Sequence, residues 1–432
     1  METLRITGNI PLSGVLTVPA AKNSLLPLTA AAAMAEGRTR FFDCPHLSDV
    51  NYALSILRAL GLSADWAGED IVISGGPPAG VSVPHEAMSA MRGSLMFLGA
   101  LLGARGRVTA GMPGGCRIGA RPIDLHLEVF SALGASVELS DGIISLSAPN
   151  GLRGADIQLR MPSVGATENA MLAACRARGT TLLRGAAQEP EIRDLAHYLN
   201  LCGADIHGAG SPLIEITGVE GLTGTDFQPM ADRITAATWV AAVGTAGGSA
   251  TLRNAPTRDM SAFLSVCSDM GLELLSQQDR LYVRRSCRLR APDQTVRTGP
   301  FPGFPTDCAP LLAAMLATAA GGSRIEDRMF ENRFACCAGF QGLGAQTRCF
   351  GRVLEITGGS RLRGAPVQAL DLRGGAALTV LALAAEGESA LSGVEYIDRG
   401  YQHIEKQLSA LGADVVRVQE QARLPQAEYG EL

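Results

Sequence analysis

The residues best suited to do chemistry lie in "GMPGGCRIGARPIDLH", from Gly111 to His126, where Cys116 sits among glycines and ahead of Arg117 and Arg121. Neighbouring guanidinium groups lower a thiol's pKa and bring its titration towards neutral pH. Glycines let such a segment move over a bound molecule and exclude water when it closes. The combination fits a reactive, partly ionised thiol on a segment that can close over a bound molecule. Cys175 in "MLAACRA" makes the contrast: it occupies an apolar run, as a packed cysteine does.

A second set of residues is cationic. Of 37 basic residues only Lys22 and Lys406 are lysine. A chain that uses Arg almost everywhere marks Lys22 as a place where a compact ammonium is needed. Lys22–Asn23 ("AAKNSLLPL"), Arg92 ("AMRGSLMFL"), Asp232–Arg233 ("ADRITAATWV") and Asp371–Arg373 ("DLRGGAALTV") all stand where apolar helices begin. Asp307 ("FPTDCAPLL") and Ser163 to Thr167 ("PSVGATENAML") occupy the same register. Asp and Ser there read as helix caps. Cations do not, because a helix N-terminus is already positive, so an anion is expected among them. Arg333 ("FENRFACC") and Arg399 ("YIDRGYQHIEK") have similar settings. The set as a whole suits a ligand with several phosphate or carboxylate groups.

The elements that must position these groups repeat. A helix-ending turn recurs at Gly61, Gly134, Gly203, Gly271, Gly344 and Gly412, as in "RALGLSADW" and "SALGADVVR". An Ala/Leu-rich helix, a glycine and a short strand share the period, as in "FLGALLGARGRVTA" and "LAAMLATAAGGSRI". The period is about 70 residues, the range of repeat architectures. Six α/β units are predicted, each with a helix apolar nearly all round and therefore buried. Three per lobe make two similar lobes. The expected division is 22–229 for a first lobe carrying the cysteine segment, and 1–21 plus 230–432 for a second, with the site in the cleft between them. The basic run "RRSCRLR", Arg284 to Arg290, reads as a solvated strand face.

Composition narrows the partners. The chain has 432 residues, 18% of them charged, and a net charge of −5. With a mean hydropathy of +0.16 and pI ≈ 5.8 it lacks a nucleic-acid footprint. No apolar run approaches the roughly 20 residues that span a bilayer, and the start shows no signal-peptide pattern. Ten cysteines without paired metal spacing predict a reduced, cytoplasmic protein with no metal and no cofactor. Oligomeric state is left open.

In order and spacing, "AAKNSLLPL", "MPGGCRIGARPIDLH", "PSVGATEN", "AQEPEI", "ADRI", "GFPTD", "FENRF", "DLRGGAAL" and "IDRGYQHIEK" resemble the enolpyruvyl transferases, most closely those acting on UDP-N-acetylglucosamine. The resemblance covers nearly the whole chain. It implies a two-lobed inside-out α/β barrel and transfer of an enolpyruvyl group from phosphoenolpyruvate to a sugar 3′-hydroxyl with release of phosphate. On this resemblance Cys116 is the proton donor to the methylene carbon, and Asp307 is the base or hydrogen-bond partner at the hydroxyl. Lys22, Arg121 and Arg399 hold the phosphate and carboxylate of phosphoenolpyruvate. Arg92, Arg121, Pro122, Ile123, Asp124, Leu125, Ser163, Val164, Gly165, Asp307 and Met329 contact the nucleotide sugar. Asn23, Asp232, Arg333 and Arg373 complete the substrate-binding set. The chain departs from the pattern at "CAPLL" after Asp307, at "ACCAGF" after "FENRF", and at Met161, where some relatives have Lys. The weighed alternatives are a 3-phosphoshikimate 1-carboxyvinyltransferase and a non-catalytic sugar-nucleotide-binding paralogue. The first carries Lys-Ser where this chain has Lys22–Asn23, and the second is expected to lose Cys116, Lys22 or Asp307.

Overall fold

The computed structural model describes residues 2–76, 78–114, 118–119 and 122–419. Each repeat turns from its amphipathic helix into a strand through its signature glycine. The six glycines share one backbone state, with φ of +91° at Gly61 and Gly134, +103° at Gly203, +95° at Gly271, +90° at Gly344 and +84° at Gly412. At Gly134 and Gly271 a Cβ would meet nothing within 4 Å. The backbone conformation, not crowding, demands glycine there.

The strands form six four-stranded sheets with a common plan. In the third repeat Asp156–Gln158 runs parallel to Thr180–Arg184, which pairs antiparallel with Leu213–Thr217, itself paired with Asp205–His207. Residues from elsewhere in the chain complete three of the sheets. Asp226–Phe227 adds the parallel edge to Gly37–Phe41 of the first repeat. Leu12–Thr17 does the same for Gly248–Arg253, and Glu2–Thr7 lies between Glu388–Ser392 and Asp414–Gln419. The first 17 residues thus complete sheets of the second half.

Six apolar helices are enclosed by these sheets: Lys22–Ala32, Met96–Arg105 and Val164–Ala174, then Arg233–Ala246, Ala309–Thr318 and Leu372–Ala382. Strands alternate buried and exposed residues while these helices are buried on nearly every face, so each half is inside-out, with helices central and sheets outermost. Two core clusters result, one from Ala20 to Phe227, the other from Leu4 to Val18 together with Ala231 to Val415. Small residues allow close helix approach. A Cβ on Gly99 would fall 2.5 Å from Asn169 Oδ1 on the neighbouring helix.

The basic run behaves differently from its sequence reading. It is strand only to Arg285, because Arg280–Arg285 ends there. Arg285 Nη1 donates to the carbonyls of Gly244 and Thr245 at 3.2 and 2.6 Å, satisfying orphan acceptors at the end of Arg233–Ala246.

Candidate active site

The N-termini of the buried helices converge on a cavity of about 490 Å³ lined from both halves of the chain. The sequence-selected residues Lys22, Asn23, Arg92, Pro122, Asp124, Leu125, Ser163, Val164, Gly165, Asp307, Met329, Arg333, Arg373 and Arg399 all line it. Ile123 and Asp232 do not. Ile123 belongs to the first apolar core, and Asp232 is buried as a cap whose Oδ1 accepts from the N–H groups of Ile234 and Thr235 at 2.8 and 2.9 Å. Cys116 and Arg121 lie outside the described residues. Their neighbours Gly114 and Ile118 line the cavity, and the carbonyl of Ile118 accepts from the N–H of Asn332 at 2.8 Å.

Two carboxylates organise the cations. Asp49, which the sequence reading missed, accepts from Lys22 Nζ at 2.7 Å and from Arg399 Nε at 2.9 Å. Its Asp side chain opens a helix in "LSDVNYAL", a signal indistinguishable from an ordinary cap until the fold brings Lys22 beside it. Burial alone would raise the Asp49 carboxyl, but Lys22 and Arg399 hold it below the usual range. Burial lowers the Lys22 ammonium; Asp49 opposes that shift, while Arg373 and Arg399 add to it. Asp307 accepts from Arg333 Nη2 at 3.0 Å and from Arg373 Nε at 3.1 Å. It makes no cap bond in its own Thr306–Cys308 turn. The capping interpretation fails for Asp307, whereas Asp371 and Ser163 do cap their helices. Burial would raise the Asp307 carboxyl too, yet Arg373, Arg333, Arg233 and Lys22 together hold it far below the ordinary carboxylate range.

The cations at helix starts therefore do not wait solely for a ligand. Arg233 donates to Glu191 at 3.1 Å, Arg373 to Asp307, and Lys22 to Asp49, so the protein supplies its own anions against the helix dipoles. Arg92 Nη2 donates to the carbonyl of Pro122 at 3.1 Å. In these pairs five cations meet three carboxylates, but the whole lining has seven Lys and Arg against seven Asp and Glu, of which burial shifts Glu168 and Glu189 towards the neutral form. Glu189 and Glu191 belong to "AQEPEI", quoted above for its resemblance without a role. Both line the cavity, as does Glu168 of "ATEN". Burial, with Glu191 and Glu189 nearby, raises the Glu168 carboxyl well above its ordinary value. Arg160, also unforeseen, stands on the rim beside Met161 and pairs with Asp124 and Glu128.

Other thiols are poorly placed for chemistry. Cys308 is buried and its thiol is pushed up to about 12, with burial the main cause. Cys336 and Cys337 are buried, and the exposed Cys287 and Cys349 do not line the cavity. Among the described residues no cluster of His, Cys, Asp or Glu could hold a metal ion.

A half-and-half cavity closed by six helix N-termini on six α/β repeats defines a two-lobed transferase fold. The chain belongs to the EPSP synthase (3-phosphoshikimate 1-carboxyvinyltransferase) family, whose profile matches residues 6–408. Within it, the chain is 40% identical over 420 residues to UDP-N-acetylglucosamine 1-carboxyvinyltransferase 2 of Carboxydothermus hydrogenoformans, covering 97% of this chain and 100% of that relative. It is also 40% identical to the UDP-N-acetylglucosamine 1-carboxyvinyltransferase of Gluconobacter oxydans, over 97% of this chain and 100% of the relative. The enolpyruvyl transferase NikO of Streptomyces tendae superposes with a TM-score of 0.86 at 26% identity, covering 96% of this chain and 98% of that one. An EPSP synthase from Acinetobacter baumannii, with a TM-score of 0.74 at 19% identity, covering 97% of this chain and 100% of that one, shares the fold.

Proposed function

We propose that this chain transfers the enolpyruvyl group of phosphoenolpyruvate to the 3′-hydroxyl of UDP-N-acetylglucosamine and releases phosphate, the first committed step of peptidoglycan synthesis. The observation that carries the reading is Asp307, a carboxylate in the cavity wall held between Arg333 and Arg373. Phosphoenolpyruvate and a nucleotide diphosphate sugar are both polyanions, and the guanidinium and ammonium groups of the wall suit them.

The chemistry assigns each group a task. Cys116 gives a proton to the methylene carbon while the acceptor hydroxyl oxygen bonds to the adjacent carbon. Asp307 orients that hydroxyl. It takes the proton as the new C–O bond forms and the alcohol oxygen becomes acidic. Loss of a proton from the methyl group then expels phosphate and regenerates the enol ether. Lys22, Arg121 and Arg399 stabilise the charge on the phosphate and carboxylate. The two core clusters support one lobe over 22–229 and a second that joins residues near the start of the chain to those after 230, with Ala20 packed in the first core. No helix of the described residues is long and apolar enough to cross a membrane. We place the enzyme in the cytoplasm.

Phosphate release from phosphoenolpyruvate is the test, run with UDP-N-acetylglucosamine, with 3-phosphoshikimate and with no acceptor. The proposal requires release with the first acceptor alone, and loss of most of it in Cys116→Ser. Release with 3-phosphoshikimate, or none with either acceptor, overturns it.

A further inference from the structure

Arg333, one of the two cations that hold Asp307, is itself held by hydrogen bonds that run away from the cavity. Its Nη2 donates to Asp307 Oδ1 at 3.0 Å, and its Nε donates to Thr306 Oγ1 at 2.9 Å. The Thr306 hydroxyl donates in turn to Asp327 Oδ2 at 2.6 Å. The other oxygen, Asp327 Oδ1, accepts from the backbone N–H groups of Met329 and Phe330 at 2.9 and 2.7 Å. An arginine Nε–H only donates and an ionised carboxyl only accepts, so the relay has one direction. Thr306 gives its single hydrogen to Asp327, which leaves a lone pair for Arg333.

Asp327 also governs the flat face of the guanidinium. By accepting from the N–H of Phe330 it seats the residue whose ring lies against Arg333, with the guanidinium carbon 4.8 Å from the ring centroid. Edge and face of the cation are thus both tied to one carboxylate. That carboxylate follows the strand Gly322–Glu326, is 0% exposed and is absent from the cavity lining, whereas Thr306, Asp307, Phe330 and Arg333 all line it. It cannot touch a bound molecule. On the other side of Asp307, Arg373 reaches its own hydroxyl partner, Tyr401, only at 3.5 Å. The Arg333 side is the firmer anchor.

We infer that Asp327 is a positioning residue for the transfer reaction, acting through Thr306 and Arg333 to hold the Asp307 carboxylate at the acceptor hydroxyl. The inference rests on the function proposed above and adds to it a residue that no substrate touches. A base out of hydrogen-bond reach of its proton loses most of its effect, so the orientation of Asp307 is worth a dedicated buried support.

The test separates this inference from the functional reading. Wild-type enzyme is first assayed for phosphate release with phosphoenolpyruvate and UDP-N-acetylglucosamine; no release defeats the function itself. With activity present, Asp327→Asn is the informative change. Its Oδ1 can still accept from Met329 and Phe330, but its Nδ2 now donates to Thr306 and competes with Arg333 for the hydroxyl oxygen. We expect kcat to fall about tenfold, the scale of one hydrogen bond to a charged group, with KM for phosphoenolpyruvate unchanged. Thr306→Val should lose as much, and Thr306→Ser, which keeps the hydroxyl, should recover most of it. In an Asp307→Ala background Asp327→Asn should cost nothing further, because the group it positions is gone. A kcat within about twofold of wild type in Asp327→Asn overturns the inference. So does an undiminished loss in the Asp307→Ala background, or equal losses in Thr306→Val and Thr306→Ser. Equal rises in KM for both substrates would mean general loosening of the site and overturn it as well. Should Asp327→Asn fail to fold, the two Thr306 variants carry the same test.

Discussion

Asp49 and Asp307 are both carboxylates set between two cations, yet the fold gives them different work. The Asp49 side chain is 2% exposed, and its partners come from opposite halves, Lys22 from the first and Arg399 from the second. The Asp307 side chain is 26% exposed, and Arg333 and Arg373 both belong to its own half. Asp49 therefore acts as a clamp that holds Lys22 and Arg399, the groups proposed to bind phosphate, across the cleft. Asp307 faces the space where a hydroxyl would react. Being an ion pair says little about role; exposure to the cavity and which halves the partners come from say more.

The largest expected effect breaks the clamp. Asp49→Ala removes the carboxylate from buried Lys22 and half-buried Arg399, a loss of about 3 kcal/mol in unfolding free energy, read from denaturant titration. Wild-type stability in that variant would show that the two cations do not need the clamp. Asp307→Ala should lower turnover roughly 10²-fold, the scale of a positioned base, while phosphoenolpyruvate binding measured by calorimetry persists. Its stability loss should be smaller than that of Asp49→Ala, because the Asp307 side chain is 26% exposed and the Asp49 side chain 2%. An equal or larger loss in Asp307→Ala would show that exposure does not separate the two.

Lys22→Arg keeps the charge but replaces a compact ammonium with a broad fork between Asp49 and the cavity. We expect kcat/KM to fall at least about tenfold, or 1.4 kcal/mol. Retention of half the wild-type value would mean that ammonium geometry is unimportant. The smallest effect concerns Glu168, whose shift runs opposite to those of Asp49 and Asp307. A carboxyl raised in the folded state contributes stability that is fully present below its unfolded value, about 4.3, and lost as pH rises through the folded value. Glu168→Gln cannot ionise, so its stability relative to wild type should increase with pH above about 4.3. Parallel stability–pH curves would remove Glu168 from the neutral set.

Much of this site was legible because helix starts leave a mark in sequence. Lys22, Ser163, Asp307 and Arg373 stand beside apolar runs of fixed period, so aligning the repeats aligned the cavity wall. Asp49, Glu168, Glu191 and Arg160 were not legible as site residues. Each looks like an ordinary helix or loop residue, and its partner is far away in the chain, as Arg399 is from Asp49. The cations at helix starts were read as a demand for a ligand because the carboxylates that answer three of them come from other elements.

By itself the sequence determined the repeat, the six glycine turns and the burial of six helices. These depend on local backbone preference and on the period of apolar residues, which are written along the chain. Only the tertiary structure decided which charges meet and which carboxylates become more or less acidic. Those depend on burial and on distances of about 3 Å between residues remote in sequence, as from Arg399 to Asp49 and from Arg373 to Asp307, and no local pattern encodes them.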